Sequence, residues 1–206
     1  MEQKWIALQD VSKSFKEQTV LQDVSFKLES GSMNAIVGEN GAGKSTLLKI
    51  VMGILKADQG HIEIEGTLGY CPQEFELFSL LTVQENIDYF KTAYGLERAC
   101  GNGTASDWKH RLFNTLNFTS ILDSKTGKLS GGTKQKLNLI ISLLHNPDIL
   151  ILDEPYGGFD WSTYQSFLEL MTTLRQQNKC VLLVTHMLNE LSYFDNVLTL
   201  KDGQIQ

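Results

Sequence analysis

A glycine-rich turn between a strand pattern and a helix pattern constrains the fold of this chain more than any other feature. The segment "GENGAGKST", Gly38 to Thr46, directly follows the apolar run "NAIV" and leads into "KSTLLKIVMGIL". Its glycines, lysine and serine match G-x-x-x-x-G-K-[ST] in the strand–turn–helix context that this pattern requires. Glycines allow close approach to a phosphate chain, which backbone N–H groups and the helix dipole hold. We expect Lys44 to reach the terminal phosphates and Ser45 to hold magnesium.

Two adjacent carboxylates follow a second apolar run, in "ILILDEP" at Ile149 to Pro155. Ligands of open α/β sheets bind beyond the carboxyl ends of the strands, so Asp153 is expected in the magnesium shell beside Ser45. Glu154 is then placed to orient or deprotonate the water that attacks a γ-phosphate. The alternative is an acidic pair that caps a helix after a core strand.

Two further side chains are candidates for the same edge of the sheet. The run "VLLVTH" delivers His186 there, where an imidazole can hydrogen-bond the γ-phosphate and the water; the alternative is a structural histidine. Gln73, in "YCPQE", can ligate magnesium through its amide oxygen. A plain loop glutamine explains its position equally well from spacing alone.

A second glycine turn precedes another helix pattern, in "KLSGGTKQKL". Ser130, Gly131 and Gly132 stand before apolar residues at the i, i+3, i+4, i+7 spacing of one buried face. These apolar residues are Leu137, Ile140, Ile141 and Leu144. A helix start leaves backbone N–H groups free and is itself a place for a phosphate. The chain therefore has two predicted anion sites, and the second needs an explanation.

The order of the patterns predicts an α/β fold. "WIALQDVSKSF" and "VLQDVSFKLES" alternate as antiparallel strands do, and "HIEIEG" and "LGYC" are predicted to add two more. "NAIV", "ILIL" and "VLLV" are typical of buried parallel strands. Helical periodicity follows Cys71, with a capping-box signal at Thr82 and Glu85; "GNGTAS" at 101–106 is predicted to be a flexible loop. The helical face is expected to contain Val83, Ile87, Phe90 and Tyr94.

These elements predict one domain over 1–206 with a mostly parallel core sheet. Residues 1–72 and 130–206 form the predicted catalytic core with an N-terminal antiparallel β layer, and 73–129 form an inserted α-helical subdomain. A chain of 206 residues that is 42% hydrophobic is long enough for one good core.

Composition also limits the class of partner. The net charge of -6 and the pI near 5.2 argue against a nucleic-acid partner, since phosphate backbones attract clustered Lys and Arg. The three cysteines are scattered and indicate reduced thiols without a role. The longest apolar runs fall far short of the roughly 20 residues of a membrane span. Work at a membrane would therefore require a partner.

Five motifs together resemble the ATP-binding subunit of ATP-binding cassette (ABC) transporters. They are "GENGAGKST", "PQE", "LSGGT", "ILILDEP" and "VTH", in this order. The resemblance implies a P-loop NTPase core, ATP and Mg²⁺ as ligands, and Lys44, Glu154 and His186 as catalytic residues. It also implies a dimer, expected to be a homodimer, in which two chains pack head to tail and each "LSGG" signature closes over the ATP of the other.

The same resemblance identifies further contacts. Phe15 matches the aromatic residue that stacks on adenine; its alternative is a core position in a strand. The predicted magnesium ligands are Ser45, Gln73 and Asp153. The predicted ATP contacts are Phe15, Gly38, Glu39, Asn40, Gly41, Ala42, Gly43, Lys44, Ser45, Thr46, Gln73, Ser130, Gly131, Gly132, Asp160 and His186.

A membrane-spanning subunit is expected to contact the chain near Gln73 to Leu81. The apolar residues of that stretch are Phe75, Leu77, Phe78 and Leu80, and packing inside the helical subdomain is the alternative for some of them. The expected location is the cytoplasmic face of the cell membrane.

Two segments depart from the family pattern. Thr133 replaces the usual glutamine at the end of the signature, and "PYGGFD" replaces a small-residue, leucine, aspartate pattern after Glu154. Asp160 matches the final aspartate. Gly157 and Gly158 are expected to loosen this loop and to change communication between the two sites.

Other cassette classes fit less well. DNA-repair and chromosome cassettes place long coiled coils between phosphate loop and signature, where this chain has no room, and ribosome-acting cassettes are paired in one chain. A non-hydrolysing regulatory or non-transport ATPase is the remaining alternative, against which Lys44, Glu154 and His186 argue. The end of the sequence soon after "LKDGQIQ" favours an exporter-type system over importers with an appended regulatory domain.

Overall fold

A computed structural model describes residues 3–74, 76–96, 104–116, 118–185 and 192–206. The chain divides into two compact units. The first contains 1–68, 148–154 and 174–206, and the second contains 69–147 and 155–173. The predictions for His186, Phe75, Cys100 and 101–103 lie outside the described residues.

A three-stranded antiparallel sheet opens the first unit. Its strands are β1 (Trp5–Phe15), β2 (Gln18–Glu29) and β4 (Gln59–Glu65), in the order β2-β1-β4. Ile6, Leu8 and Val11 of β1 are buried, as the alternating pattern predicts. The prediction that "LGYC" adds a further strand to this layer is wrong. That segment is β5 (Leu68–Cys71), which lies outside the antiparallel sheet.

The second sheet of this unit is mostly parallel, as predicted. Its strands include β3 (Met33–Val37), β6 (Ile149–Asp153), β7 (Cys180–Thr185), β8 (Asn196–Lys201) and β9 (Gln204–Ile205). They follow the order β6-β7-β3-β8-β9, and β9 is antiparallel to β8. Every residue of β3, β6 and β7 is buried, which explains their continuous apolar runs.

The strand register places the ends of three parallel strands at one edge. Val37 of β3 pairs with Thr185 of β7, and Asp153 of β6 pairs with Val184. The phosphate loop that follows β3 therefore begins at the same edge of the sheet as Asp153, the last residue of β6.

Helix α1 (Lys44–Val51) is shorter than its pattern predicted. The helical pattern extends to Leu55, but the helix ends at Val51, with Met52 as the C-cap and Gly53 at φ 70°. Glycine adopts this left-handed conformation without the steric cost of a Cβ atom, so the helix stops there.

The α-helices described in the second unit are α2 (Val83–Ala93), α3 (Thr104–Thr115), α4 (Gly131–Leu143) and α5 (Trp161–Gln176), whose last turn belongs to the first unit. The predicted capping box is confirmed, because Thr82 Oγ1 accepts from the Glu85 N–H and Glu85 accepts from the Thr82 N–H. Residues 104–106 were predicted to be loop; they form the first turn of α3.

The buried face of α2 is narrower than predicted. Val83 and Ile87 are fully buried, Phe90 is half-buried, and Tyr94 is exposed at the C-cap. In α4, the predicted Leu137, Ile140 and Ile141 are buried, and Leu144 is half-buried after the helix ends.

Among the described residues, no helix combines the length and the apolar character that crossing a membrane requires. Cys71 and Cys180 are buried, and neither forms a disulfide among the described residues. Burial raises the pKa of the Cys180 thiol to about 11, so this thiol is a packing residue and not a nucleophile.

Candidate functional site

The phosphate loop connects β3 to α1 in the first unit. Helix α1 begins at Lys44 without a side-chain cap and without an acidic residue in its first turn, within the part of the chain that the structure describes. The uncapped N–H groups and the positive end of the helix dipole favour an anion at this point.

Lys44 is folded back into its own loop. Its Nζ atom donates to the carbonyl oxygens of Gly38, at 2.6 Å, and Glu39, at 2.9 Å. The side chain is only 8% exposed. These two bonds fix the ammonium group within the curve of the loop, where a phosphate oxygen can become a third acceptor.

Two glycines of the loop are required by their surroundings. A Cβ atom at Gly38 would lie 2.4 Å from the Leu200 carbonyl oxygen. Gly43 has φ 102°, and a Cβ there would lie 2.9 Å from the Val20 carbonyl oxygen. The loop therefore packs against its own unit through bare backbone, and side chains at these positions would displace it.

The acidic pair lies at the end of β6, as predicted. Asp153 is 7% exposed, and its carboxyl pKa is raised by burial and by the charge of Glu154, while Lys44 opposes the rise. Glu154 has φ 46°, an uncommon conformation for a residue with a Cβ, and its N–H donates to the Val184 carbonyl at 3.1 Å. Because such conformations persist only where the surroundings hold them, the direction in which Glu154 leaves the strand is fixed.

The donors near this carboxylate suit magnesium. Asp153 and Ser45 both belong to the first unit and offer hard oxygen atoms, which Mg²⁺ prefers together with water and substrate phosphates. Within the described ranges no group of three or more His, Cys, Asp or Glu side chains is placed to hold a metal. A cation would relieve the unfavourable charge on buried Asp153.

Phe15 lies at the end of β1 and is 47% exposed. This exposure excludes the core position that was its alternative. The Lys13 Nζ atom lies 5.5 Å from the ring centroid and also pairs with Asp58 at 2.6 Å. An exposed ring next to a cation can stack on a flat, electron-rich base. The role of Phe15 toward adenine stays a prediction.

The signature turn lies in the second unit and starts α4. Ser130 is the N-cap: its Oγ atom accepts from the Thr133 N–H at 3.3 Å and lies 2.8 Å from Thr133 Oγ1. Ser130 and Gly131 are exposed, whereas Gly132 is half-buried. The threonine that replaces the family glutamine thus takes part in the cap.

Two other predicted residues also belong to the second unit. Gln73 is exposed after β5. Asp160 caps α5, since its Oδ1 atom accepts from the Thr163 N–H at 2.8 Å and from Ser162 Oγ at 3.0 Å. The Thr163 bonds, chiefly the backbone bond, hold the Asp160 pKa below its ordinary value. Capping is the role that the structure gives this side chain; a nucleotide contact stays a prediction.

The segment 73–81 exposes apolar side chains, as predicted. Phe78 is 43% and Leu80 is 80% exposed, while Leu77 is half-buried. Tyr89 was not among the predicted residues; it is 51% exposed and lies edge-to-face against Phe78 at a centroid distance of 4.6 Å. The sequence does contain a signal for Tyr89, because it is an aromatic residue on the polar side of the α2 pattern.

Comparisons with known proteins show which family this chain resembles. The family model described as ABC transporter matches residues 21–157. An uncharacterized ABC transporter ATP-binding protein of Methanocaldococcus jannaschii is 33% identical over 97% of this chain and 75% of its own length. The high-affinity zinc uptake system ATP-binding protein of Bacillus subtilis is 34% identical over 97% of this chain and 92% of its own length.

A solved structure extends the comparison to three dimensions. It is the dimeric structure of a post-hydrolysis state of an ATP-binding cassette bound to ADP and Pi. The likeness has a TM-score of 0.85 at 26% sequence identity and covers 98% of this chain and 96% of the other.

Proposed function

Because this chain belongs to the family of ABC transporter ATP-binding proteins, a family of ATPases, we propose that it hydrolyses ATP with Mg²⁺ to drive a separate membrane-spanning subunit. The observation that carries the proposal is that the first unit contains both a phosphate loop and an acidic pair. Its phosphate loop has an uncapped helix start with Lys44 fixed inside it, and the same unit contains the Asp153–Glu154 pair at the end of β6.

Different residues bind the phosphates, the magnesium ion and the adenine ring of ATP. The backbone N–H groups of 41–46 and the Lys44 ammonium bind the β- and γ-phosphates of ATP. Ser45 and Asp153 hold Mg²⁺, with Gln73 as a further proposed ligand. The ion neutralises charge on the phosphates when it is bound. Phe15 stacks on the adenine ring.

Glu154 acts as the general base. Its backbone is fixed by the bond to the Val184 carbonyl. Its carboxylate orients a water and accepts a proton from it as the water attacks the γ-phosphorus, while the bond between the γ-phosphorus and the bridging oxygen breaks and ADP leaves. His186 is proposed to hydrogen-bond the γ-phosphate and the same water.

Replacing Glu154 by Gln tests this function. The amide keeps the shape and the hydrogen bonding but cannot accept the proton, so turnover should fall by roughly two or more powers of ten while ATP still binds. The measurements are steady-state phosphate release and ATP titration, and a stable ATP-bound dimer should accumulate in size-exclusion chromatography. Glu63→Gln, an exposed glutamate of β4, is the matched control. Full turnover in Glu154→Gln contradicts the assignment.

Two partners complete the proposal. The first is a second copy of the chain, packed head to tail so that each signature turn closes over the ATP of the other; the dimeric cassette structure supports it. The second is a membrane-spanning subunit that contacts the exposed apolar side chains near Gln73 to Leu81, which places the chain on the cytoplasmic face of a membrane. Phe78 and Leu80 support this contact by their exposure.

Export is the direction that we propose for transport. One relative is named for zinc uptake, so direction needs its own test. Vesicles containing this chain and its membrane subunit distinguish the two cases, because ATP supplied on the side of this chain should move substrate away from that side in an exporter.

A further inference from the structure

The loop after Glu154 is in direct backbone contact with the signature turn, inside the second unit. A Cβ atom at Gly132 would lie 2.2 Å from the Gly158 carbonyl oxygen and 3.0 Å from its carbonyl carbon. In return, a Cβ at Gly158 would lie 3.2 Å from the Gly132 nitrogen, and Gly158 has φ +79°. Neither position can accept a side chain without moving the other segment.

Anchors on both sides hold this loop in place. Before Gly158, the Tyr156 ring packs edge-to-face on Tyr164 at 5.8 Å and on Phe167 at 6.3 Å. After it, the Phe159 ring packs on Phe167 at 6.2 Å, and Asp160 caps α5. Gly158 therefore presses against α4 from a loop that is fixed to α5.

The neighbouring glycine has no such constraint. Among the described residues nothing lies within 4 Å of a Cβ placed at Gly157. The sequence suggested that both glycines loosen the loop, but their surroundings differ: Gly157 is open and Gly158 is packed. The leucine position of the family pattern, here Phe159, is one of the anchors.

We infer that Gly158 is a positioning residue for the signature turn, and that it thereby sets the geometry in which this chain completes the nucleotide site of its partner. This inference rests on the proposed head-to-tail dimer. Gly158 follows Glu154 by four residues. The loop thus connects the base that acts at one nucleotide with the turn that acts at the other.

The test uses tandem dimers in which two copies of the chain are joined by a flexible linker, with Gly158→Ala and Lys44→Ala placed in two arrangements. With the substitutions in opposite halves, the intact cradle of the Gly158→Ala half meets the intact signature of the Lys44→Ala half, and one good site remains. With both substitutions in the same half, the intact cradle meets the displaced signature. Single-turnover ATP hydrolysis is measured for each.

We expect the opposite-half dimer to hydrolyse ATP at the same single-turnover rate as a tandem dimer that contains Lys44→Ala alone. The same-half dimer should be slower by about ten- to a hundredfold, since a misplacement of about 1 Å far from the chemistry can cost that much. If Gly158 acts instead on the cradle of its own chain, the two results exchange places. Equal rates for the two arrangements also overturn the inference.

Folding is controlled within the design, because both arrangements contain the same substitutions. Gly157→Ala replaces Gly158→Ala in a matched pair and should leave both arrangements at the rate of the dimer with Lys44→Ala alone. Gly132→Ala approaches the contact from the signature side and should reproduce the Gly158→Ala pattern.

The tandem pair Lys44→Ala with Ser130→Arg separates failure of this inference from failure of the proposed function. If the two arrangements of that pair hydrolyse ATP at equal rates, the nucleotide site is not shared between two chains, and this inference fails together with the proposed dimer. An arrangement effect there, but not with Gly158→Ala, overturns this inference alone.

Discussion

The phosphate loop and the signature turn are both glycine-rich helix starts, but their first turns are satisfied differently. Helix α1 has no side-chain cap within the described residues, and a buried lysine lies in its loop. Helix α4 is capped by its own Ser130, which also contacts the Thr133 hydroxyl. The first turn has N–H donors without a side-chain cap among the described residues, and an ammonium group held by two carbonyl oxygens of the loop. The second is already capped by its own side chain.

This difference explains why one chain has two such turns. The phosphate loop suits tight binding, because uncapped N–H groups and a fixed ammonium group act together on one phosphate chain. The signature turn is already capped by Ser130 and so offers fewer N–H donors, which suits a contact that forms and breaks. We therefore expect affinity for ATP to depend mainly on the first unit and dimer closure to depend mainly on the second.

The largest expected effect comes from breaking both turns in different chains. Lys44→Ala spoils the cradle and Ser130→Arg spoils the signature, so each mutant homodimer has two defective sites and should be inactive. An enforced mixed dimer has one site in which both defects meet and one that is intact. ATP-dependent closure and single-turnover hydrolysis should return in the mixture.

If both turns serve one nucleotide within one chain, closure and hydrolysis should not return, because every chain in the mixture would still contain one defective turn. Circular dichroism of both mutants and a check that the mixed dimer assembles are the controls. Absence of recovery in a folded, assembled mixed dimer argues for a site within one chain.

Substitutions of Phe15 test whether the first unit also supplies the contact to the adenine ring. Phe15→Ala should weaken ATP binding by about 1 to 3 kcal/mol, whereas Phe15→Trp should preserve it, since stacking needs only a ring face. Isothermal titration with ATP measures both. Tyr193→Ala removes another exposed aromatic ring, 52% exposed, and is the control. Equal losses for Ala and Trp would indicate a packing role.

The smallest effect is a difference in pH dependence between two aspartates, one in each unit. The Asp153 pKa is raised by burial and by Glu154. The charged carboxylate therefore lowers the free energy of unfolding, and this loss of stability develops as pH rises through the raised pKa. Asp153→Asn should increase the free energy of unfolding at neutral pH and leave it unchanged at low pH.

Asp160 should behave in the opposite way. Its pKa is lowered by the Thr163 bonds, so its contribution is present at neutral pH and is lost as pH falls through the lowered pKa. Asp160→Ala should cost stability at neutral pH, and less in acid. Urea unfolding of both variants at several pH values is the measurement. Parallel pH profiles for the two aspartates would contradict the assigned environments.

Local patterns predicted most of the elements. The runs "NAIV", "ILIL" and "VLLV" are buried parallel strands because such runs have no polar face to expose. Helix ends were less predictable. The pattern of α1 continued to Leu55, but the chain leaves the helix at Gly53. Likewise, alternation identified β5 as a strand without indicating which sheet it joins, because pairing depends on distant backbone.

For the site, the sequence by itself determined the chemistry of the groups. The order of glycines, Lys44, Ser45, Asp153 and Glu154 follows from local rules, since phosphate loops and strand-end carboxylates are specified by a few adjacent residues. Only the tertiary structure decided the constraints on them. The buried state of Asp153, the exposure of Phe15 and the difference between Gly157 and Gly158 depend on which atoms from distant segments lie within a few ångströms. Close packing sets these contacts, and no local pattern encodes them.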